Sequence, residues 1–165
     1  MAQTKLGERI VHTTGELPMV GSAVPDFTLV GNDLKEVTLK SLAGKNVVLN
    51  IFPSVDTSTC AASVREFNKR ASSLSDTVVL CISKDLPFAM RRFCGAEGIE
   101  KVITLSDFRN QGFSKSYGME MVDGGMVGLF ARSIVVIDKE GKVKHVQLVP
   151  SIGQEPDYDG ALRAI

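Results

Sequence analysis

Apolar positions along the chain change their spacing several times, and each change predicts a different element. Residues 47–52, Val-Val-Leu-Asn-Ile-Phe, form a nearly unbroken apolar run rich in branched side chains, which predicts a strand covered on both faces. After a loop, apolar residues recur at Cys60, Val64, Phe67, Ala71 and Leu74, spacings of three and four that define one face of a helix. Cys60 falls on the inward side of its first turn. The order then repeats: a strand at 77–83, a short helix at 86–93 with Leu86, Ala89, Met90 and Phe93 on one face, a strand near 102–105, and a helix around 111–117.

Residues 133–138 and 142–149 read as strands joined through Lys139-Glu140-Gly141, and a last helix puts Tyr158, Ala161, Leu162 and Ile165 on one side. Upstream, a hairpin is expected between residues 4 and 17 with Thr13-Thr14-Gly15 as its turn. A second is expected from Phe27-Thr28-Leu29-Val30 through Gly31-Asn32-Asp33 to Glu36-Val37-Thr38-Leu39, decorating a sheet edge. Alternating strand and helix implies right-handed crossovers and parallel members in a central sheet. The expected class is α/β: a thioredoxin-like fold with a central mixed sheet flanked by helices and an N-terminal β-hairpin. A chain of 165 residues suits one domain, 1–165.

Charge narrows the partners. Nineteen basic residues balance nineteen acidic ones, so no overall field would draw the chain to nucleic acid or an anionic membrane. The longest apolar run is far below the roughly 20 residues that cross a bilayer, and the first nine residues lack a signal peptide's apolar centre. A cytoplasmic address is the expectation. Three cysteines do not make a disulfide framework; in a reducing compartment such residues are catalytic, redox-active or buried.

The segment from Asn50 to Ala62 carries the candidate chemistry. With Asp56 or Thr57 as N-cap, Cys60 lies where unpaired backbone N–H groups and the helix dipole favour an anion. A free thiol with a pKa near 8.5 is only a few per cent ionised at neutral pH, and holding a thiolate there takes roughly 3–4 kcal/mol. A helix terminus supplies at most about 2 kcal/mol. A charge-assisted hydrogen bond of roughly 1.5–3 kcal/mol closes the gap, and Arg132, just before the strand at 133–138, is the candidate donor. The Thr57 hydroxyl is placed to bind an incoming peroxide or hold the sulfur, and Pro53, without an N–H, shields one side. A lone cysteine at a helix start is usually core; the Pro53 and Thr57 spacing argues otherwise.

Pro53-Ser54-Val55-Asp56-Thr57-Ser58-Thr59-Cys60 resembles the Pro-x-x-x-Thr-x-x-Cys motif of peroxiredoxins. Phe93-Cys94-Gly95-Ala96-Glu97-Gly98, Gly128-Leu129-Phe130-Ala131-Arg132-Ser133 and Glu155-Pro156-Asp157-Tyr158 extend the resemblance to the bacterial thiol peroxidases, the atypical two-cysteine subgroup, over nearly the whole chain. Ser58-Thr59 departs from the small or proline residue followed by valine more often found there. The resemblance implies a peroxidase that reduces alkyl hydroperoxides and hydrogen peroxide, with Pro53, Thr57, Cys60 and Arg132 as the peroxidatic site and Cys94 as resolving cysteine. It further implies an intramolecular Cys60–Cys94 disulfide, thioredoxin as reductant and a homodimer. No cofactor or metal is expected, because the electrons come from thiols.

Cys81, among Val78, Val79, Leu80 and Ile82, is expected to be a small core hydrophobe. His12 and His145 read as ordinary strand residues, Gly124-Gly125 and Gly128 as turns, and Met119, Met121 and Met126 as packing residues. Two other functions remain open on the residues alone. A protein disulfide oxidoreductase requires Cys-x-x-Cys, where this chain has Cys60-Ala61-Ala62-Ser63; a redox-sensing domain would be oxidised once without turnover.

Overall fold

The computed structural model describes residues 1–110 and 112–165. Strands β1 (Gln3–Leu6) and β2 (Arg9–His12) form an antiparallel hairpin in which Leu6 pairs with Arg9. Its turn is therefore Gly7-Glu8, not Thr13-Thr14-Gly15 as the alternation suggested. Gly7 sits at φ 62°, the left-handed geometry that two-residue hairpins require and glycine adopts without steric cost. Thr13 follows β2 and is buried, its hydroxyl donating to the Gly15 carbonyl.

Seven further strands form one mixed sheet: β3 (Thr28–Gly31), β4 (Glu36–Thr38), β5 (Asn46–Ile51), β6 (Thr77–Ser83), β7 (Ile103–Ser106), β8 (Ser133–Ile137) and β9 (Val143–Leu148). Their spatial order is β4-β3-β7-β6-β5-β8-β9. Pairs β5–β6 and β6–β7 are parallel, while β8 runs antiparallel to β5. The hairpin β3–β4 closes one edge as expected.

The central place of β5 follows from its side chains. Val48 joins Phe52, Val64, Phe67, Ile134 and Val136 in one apolar layer, and Val47, Leu49 and Ile51 join Phe27, Phe113, Tyr117 and Phe130 in the other. All three of those β5 residues and Val48 are at most 1% exposed, so each contributes about 1.5–3 kcal/mol of burial. A strand that is apolar on both faces has no stable position at an edge.

Helix α1 (Ser58–Ala71) buries Cys60, Ala61, Ser63, Val64 and Phe67; Leu74 lies beyond its end but still packs on the same layer. Helix α2 (Pro87–Glu97) starts on a proline, whose missing N–H is no loss in a first turn, and stops at Gly98 with φ 67°. It is longer than the 86–93 predicted, so Cys94 lies inside its last turn and does not follow the helix. Leu86 is the exposed N-cap residue, outside the buried face formed by Met90 and Phe93. Helix α3 (Gly112–Tyr117) matches the expected helix from its second residue; Gln111, its expected first residue, lies outside the described residues. Helix α4 (Tyr158–Arg163) is capped by Asp157, and Ile165, expected on its inner side, is exposed beyond its end. Among the described residues, no helix is long and apolar enough to cross a membrane.

Candidate active site

Strand β5 delivers the chain into the loop at 53–57, and Thr57 caps α1. Its backbone is extended (φ −95°, ψ 146°) and its hydroxyl oxygen accepts from the Cys60 N–H at 3.4 Å. That hydroxyl donates in turn to the Ser54 carbonyl at 3.2 Å. Cys60 is thus the third residue of the helix, in the turn whose N–H groups lack intrahelical acceptors. Its side chain is fully buried, and Pro53 is buried beside the loop.

Arg132 reaches this position because of strand register. Ser133 pairs with Ile51, so Arg132, one residue earlier on an antiparallel neighbour, lies next to the exit of β5. Its Nη2 donates to Cys60 Sγ at 3.2 Å and its Nε to the Ile152 carbonyl at 2.9 Å. Arg132 is 1% exposed, and its Nη1 is buried with no hydrogen-bond partner among the described residues. Among the described residues no carboxylate lies within ion-pair distance of it. A buried guanidinium is costly unless an anion faces it, and the group it faces is a sulfur.

The Ile152 carbonyl belongs to a strap at residues 150–153 that is held on two sides. Lys5 of β1 accepts from the Ile152 N–H at 2.8 Å and donates to the Pro150 carbonyl at 3.0 Å, and the Thr4 hydroxyl donates to the Val149 carbonyl at 2.7 Å. On the other side, the Thr59 hydroxyl donates to the Gly153 carbonyl at 3.2 Å. The N-terminal hairpin and the first turn of α1 therefore both hold the segment whose Ile152 carbonyl orients Arg132.

Cys94 is half-buried and its sulfur lies 3.6 Å from the Thr104 hydroxyl on β7. That hydroxyl donates to Asn32 Oδ1 at 2.8 Å, so it faces Cys94 as an acceptor. Cys94 also lines an open cavity of about 330 Å³ with Val37, Ile99, Val102 and Ile103. All three cysteines are free thiols. Arg132, which meets Cys60, immediately precedes β8, and Thr104, which meets Cys94, lies on β7; these strands are three steps apart in the sheet, roughly 14 Å at about 4.8 Å per step.

Cys81 is fully buried on β6, where burial pushes its thiol up to about 12, only partly opposed by the hydrogen bond from Asn50 Nδ2 at 3.7 Å. It is a core residue, as its apolar neighbours suggested. Asn50 also donates to Ser63 Oγ at 3.1 Å, and the Ser63 hydroxyl donates to the Cys60 carbonyl at 2.8 Å, a buried polar link beneath α1 that the apolar run had hidden. Met119 and Met121 are buried and Met126 packs against the cluster that holds Met121, while Gly124 and Gly128 occupy left-handed turn positions. His12, at the end of β2, pairs with Asp123 at 2.6 Å, and His145 lies in β9.

The structure brings Thr57, Cys60 and Arg132 together, buries Pro53 at the start of the loop that leads to them, and leaves Cys94 bonded to neither Cys60 nor Arg132. Sequence reasoning did not find the Ile152 and Gly153 carbonyls, because a backbone acceptor carries no residue-type signature. It also passed over Asp85, a short-range neighbour of the 53–57 loop only in space.

A model of the redoxin family, described as Redoxin, matches residues 19–162. The thiol peroxidase of Mycobacterium tuberculosis is 54% identical over 165 residues, spanning 100% of this chain and 99% of that protein. Among solved structures, the peroxiredoxin-like protein from Aquifex aeolicus superposes with a TM-score of 0.92 at 35% identity, covering 99% of this chain and 97% of that one. The thiol peroxidase from Chromobacterium violaceum, at 21% identity, shares the fold with a TM-score of 0.89 over 98% of this chain and 94% of its own.

Proposed function

The chain belongs to the redoxin family and, within it, to the thiol peroxidases, and from that membership we propose that Cys60 is the thiolate that attacks hydroperoxides and Cys94 the thiol that resolves the product. Thiol-dependent peroxide reduction is the activity of the family; the roles of these residues are our reading. The observation that carries it is the 3.2 Å contact between a buried guanidinium without a carboxylate and the sulfur at the head of α1.

In this reading the Cys60 sulfur attacks one peroxide oxygen and the oxygen–oxygen bond breaks. The departing oxygen leaves as an alkoxide or hydroxide and takes up a proton, giving alcohol or water, while sulfur becomes sulfenic acid. Arg132 serves twice. Nη2 holds the sulfur as an anion before attack, and Nη1, otherwise unsatisfied, stabilises charge building on the departing oxygen. Thr57 fixes the first helical turn, its hydroxyl bonded to the Ser54 carbonyl and the Cys60 N–H rather than free to donate to a peroxide, and Pro53 keeps water from one side.

Condensation with Cys94 then forms a disulfide and releases water, which protects Cys60 from sulfinic oxidation. Cysteine Cα atoms must come within about 7 Å for that bond. The first turn of α1 and the last turn of α2 therefore loosen during turnover. A thioredoxin-type dithiol returns the disulfide to thiols by exchange in a homodimer, assignments that rest on the sequence resemblance; one domain over residues 1–165 rests on chain length, and the cytoplasmic address on composition.

Mutagenesis tests the roles directly. Cys60→Ser abolishes hydroperoxide consumption, whereas Cys94→Ser preserves the first oxidation but stops thioredoxin-dependent cycling. Normal turnover by Cys60→Ser sinks the assignment.

A further inference from the structure

Asp85 lies in the three-residue link between β6 and α2, outside every motif that marks the site, yet it holds the loop leading to Cys60. Its Oδ1 accepts from the Ser54 hydroxyl at 2.7 Å, and its Oδ2 accepts from the Val55 N–H at 2.9 Å and the Ser83 hydroxyl at 2.6 Å. Ser54 passes the restraint on, because its carbonyl accepts both the N–H and the hydroxyl of Thr57, each at 3.2 Å. Thr57 in turn receives the Cys60 N–H. The Asp85 carbonyl is itself anchored to the end of β7 by the Ser106 hydroxyl at 2.5 Å.

One carboxylate therefore ties the loop before the Cys60 helix to the root of the Cys94 helix. A carboxylate that accepts three hydrogen bonds is a rigid joint, since both oxygens are committed. Peroxide attack benefits from this joint, because the N-cap, the sulfur and Arg132 have to be held in register. Disulfide formation opposes it, because Cys60 has to leave Arg132 and approach Cys94.

We propose that Asp85 is a positioning residue that latches residues 53–57 in the peroxide-reactive arrangement and yields when the Cys60–Cys94 disulfide forms, so that it sets how oxidised Cys60 divides between disulfide and sulfinic acid. This rests on the assignment of Cys60 and Cys94 above. Two reactions compete for the same sulfenic acid. Cys94 can displace its oxygen as water to give the disulfide, or a second hydroperoxide can transfer an oxygen atom to the sulfur, giving sulfinic acid and an alcohol. The second reaction, like the first oxidation, takes place in the latched pocket. Loosening the latch thus slows both peroxide reactions and speeds resolution.

The test compares the wild type with Asp85→Asn, which places an amide donor where the carboxylate receives donors, and with Ser54→Ala, which removes one arm of the joint. Reduced protein is mixed with cumene hydroperoxide, quenched over milliseconds to seconds, and resolved by intact mass into thiol, disulfide and sulfinic forms. Asp85→Asn is expected to oxidise Cys60 at least fivefold more slowly and, in excess peroxide, to show at least a threefold smaller sulfinic fraction; Ser54→Ala moves both readouts the same way by less. A merely structural lesion slows oxidation without reducing the sulfinic share, and that result overturns the proposal, as does wild-type behaviour in both variants. If Asp85→Asn does not fold, Ser54→Ala decides. A wild type in which Cys60 is not oxidised at all refutes the peroxidase assignment instead, which keeps the two failures distinct.

Discussion

Removing the guanidinium at Arg132 is the sharpest perturbation of the proposed chemistry. Its Nη2 makes one charge-assisted contact to the sulfur, and Nη1 is free for the departing oxygen. At roughly 1.5–3 kcal/mol for each such contact, losing both takes away about 3–6 kcal/mol of transition-state stabilisation. With tenfold in rate per about 1.4 kcal/mol, Arg132→Met should slow the first oxidation by about two to four powers of ten. Arg132→Lys keeps the charge but not the fork that reaches Ile152 and Cys60 together, so a loss of roughly one to two powers of ten is expected. Because the chain has no tryptophan, indole fluorescence cannot follow the reaction; rapid quench with thiol trapping and mass spectrometry measures it instead. Urea unfolding run in parallel separates a folding defect, since Arg132→Met also leaves the buried Ile152 carbonyl unpaired, at about 1–3 kcal/mol. A stable Arg132→Met protein oxidised within threefold of the wild-type rate would refute the reasoning.

Thr57→Val removes the α1 cap, which should lower stability by about 1 kcal/mol and slow single-turnover oxidation about tenfold by loss of one hydroxyl contact, with Thr57→Ser restoring most of both. Thr104→Val deprives the Cys94 thiol of its acceptor, so rapid-quench disulfide formation should quicken while Cys60 oxidation is unchanged; slower resolution would contradict this. Cys81→Ala should leave turnover intact. Burial raises the folded Cys81 thiol to about 12, well above the ordinary thiol value, so its contribution to stability is complete below that ordinary value and fades as pH rises from there through the higher one. Wild type should therefore lose about 1 kcal/mol more than Cys81→Ala between pH 8 and 10 in urea titrations, and equal losses would count against a buried neutral thiol.

Legibility in the sequence followed the strength of periodic signals. The run at 47–52 has the signature of a doubly covered strand, found at Asn46–Ile51, and Cys60, Val64 and Phe67 lie on the buried face of α1 that their spacing defines. Strand β6 occupies the expected residues, 77–83. The failures share a cause: short-range rules compete there with geometry that only glycine or tertiary contact decides. Gly7 outcompeted Thr13-Thr14-Gly15 for the hairpin turn through its positive φ. Gly98 carried α2 past Cys94 to Glu97, although apolar spacing ended at Phe93. At the site, the sequence named Arg132, which meets the sulfur, and Thr57, which caps its helix, but not the groups that hold them. Asp85 and the 150–153 strap act through backbone or across 30 and more residues, and neither leaves a pattern in the chain.

The strap makes the opening residues of the chain a remote tuning handle. Threonine and lysine at positions 4 and 5 grip residues 149–152, the segment that aims the guanidinium, so a fusion, nick or crosslink there is transmitted as slack in that aim. Catalyst design by sequence alone would treat this end as disposable packaging, whereas mechanically it stands in series with the reacting atom.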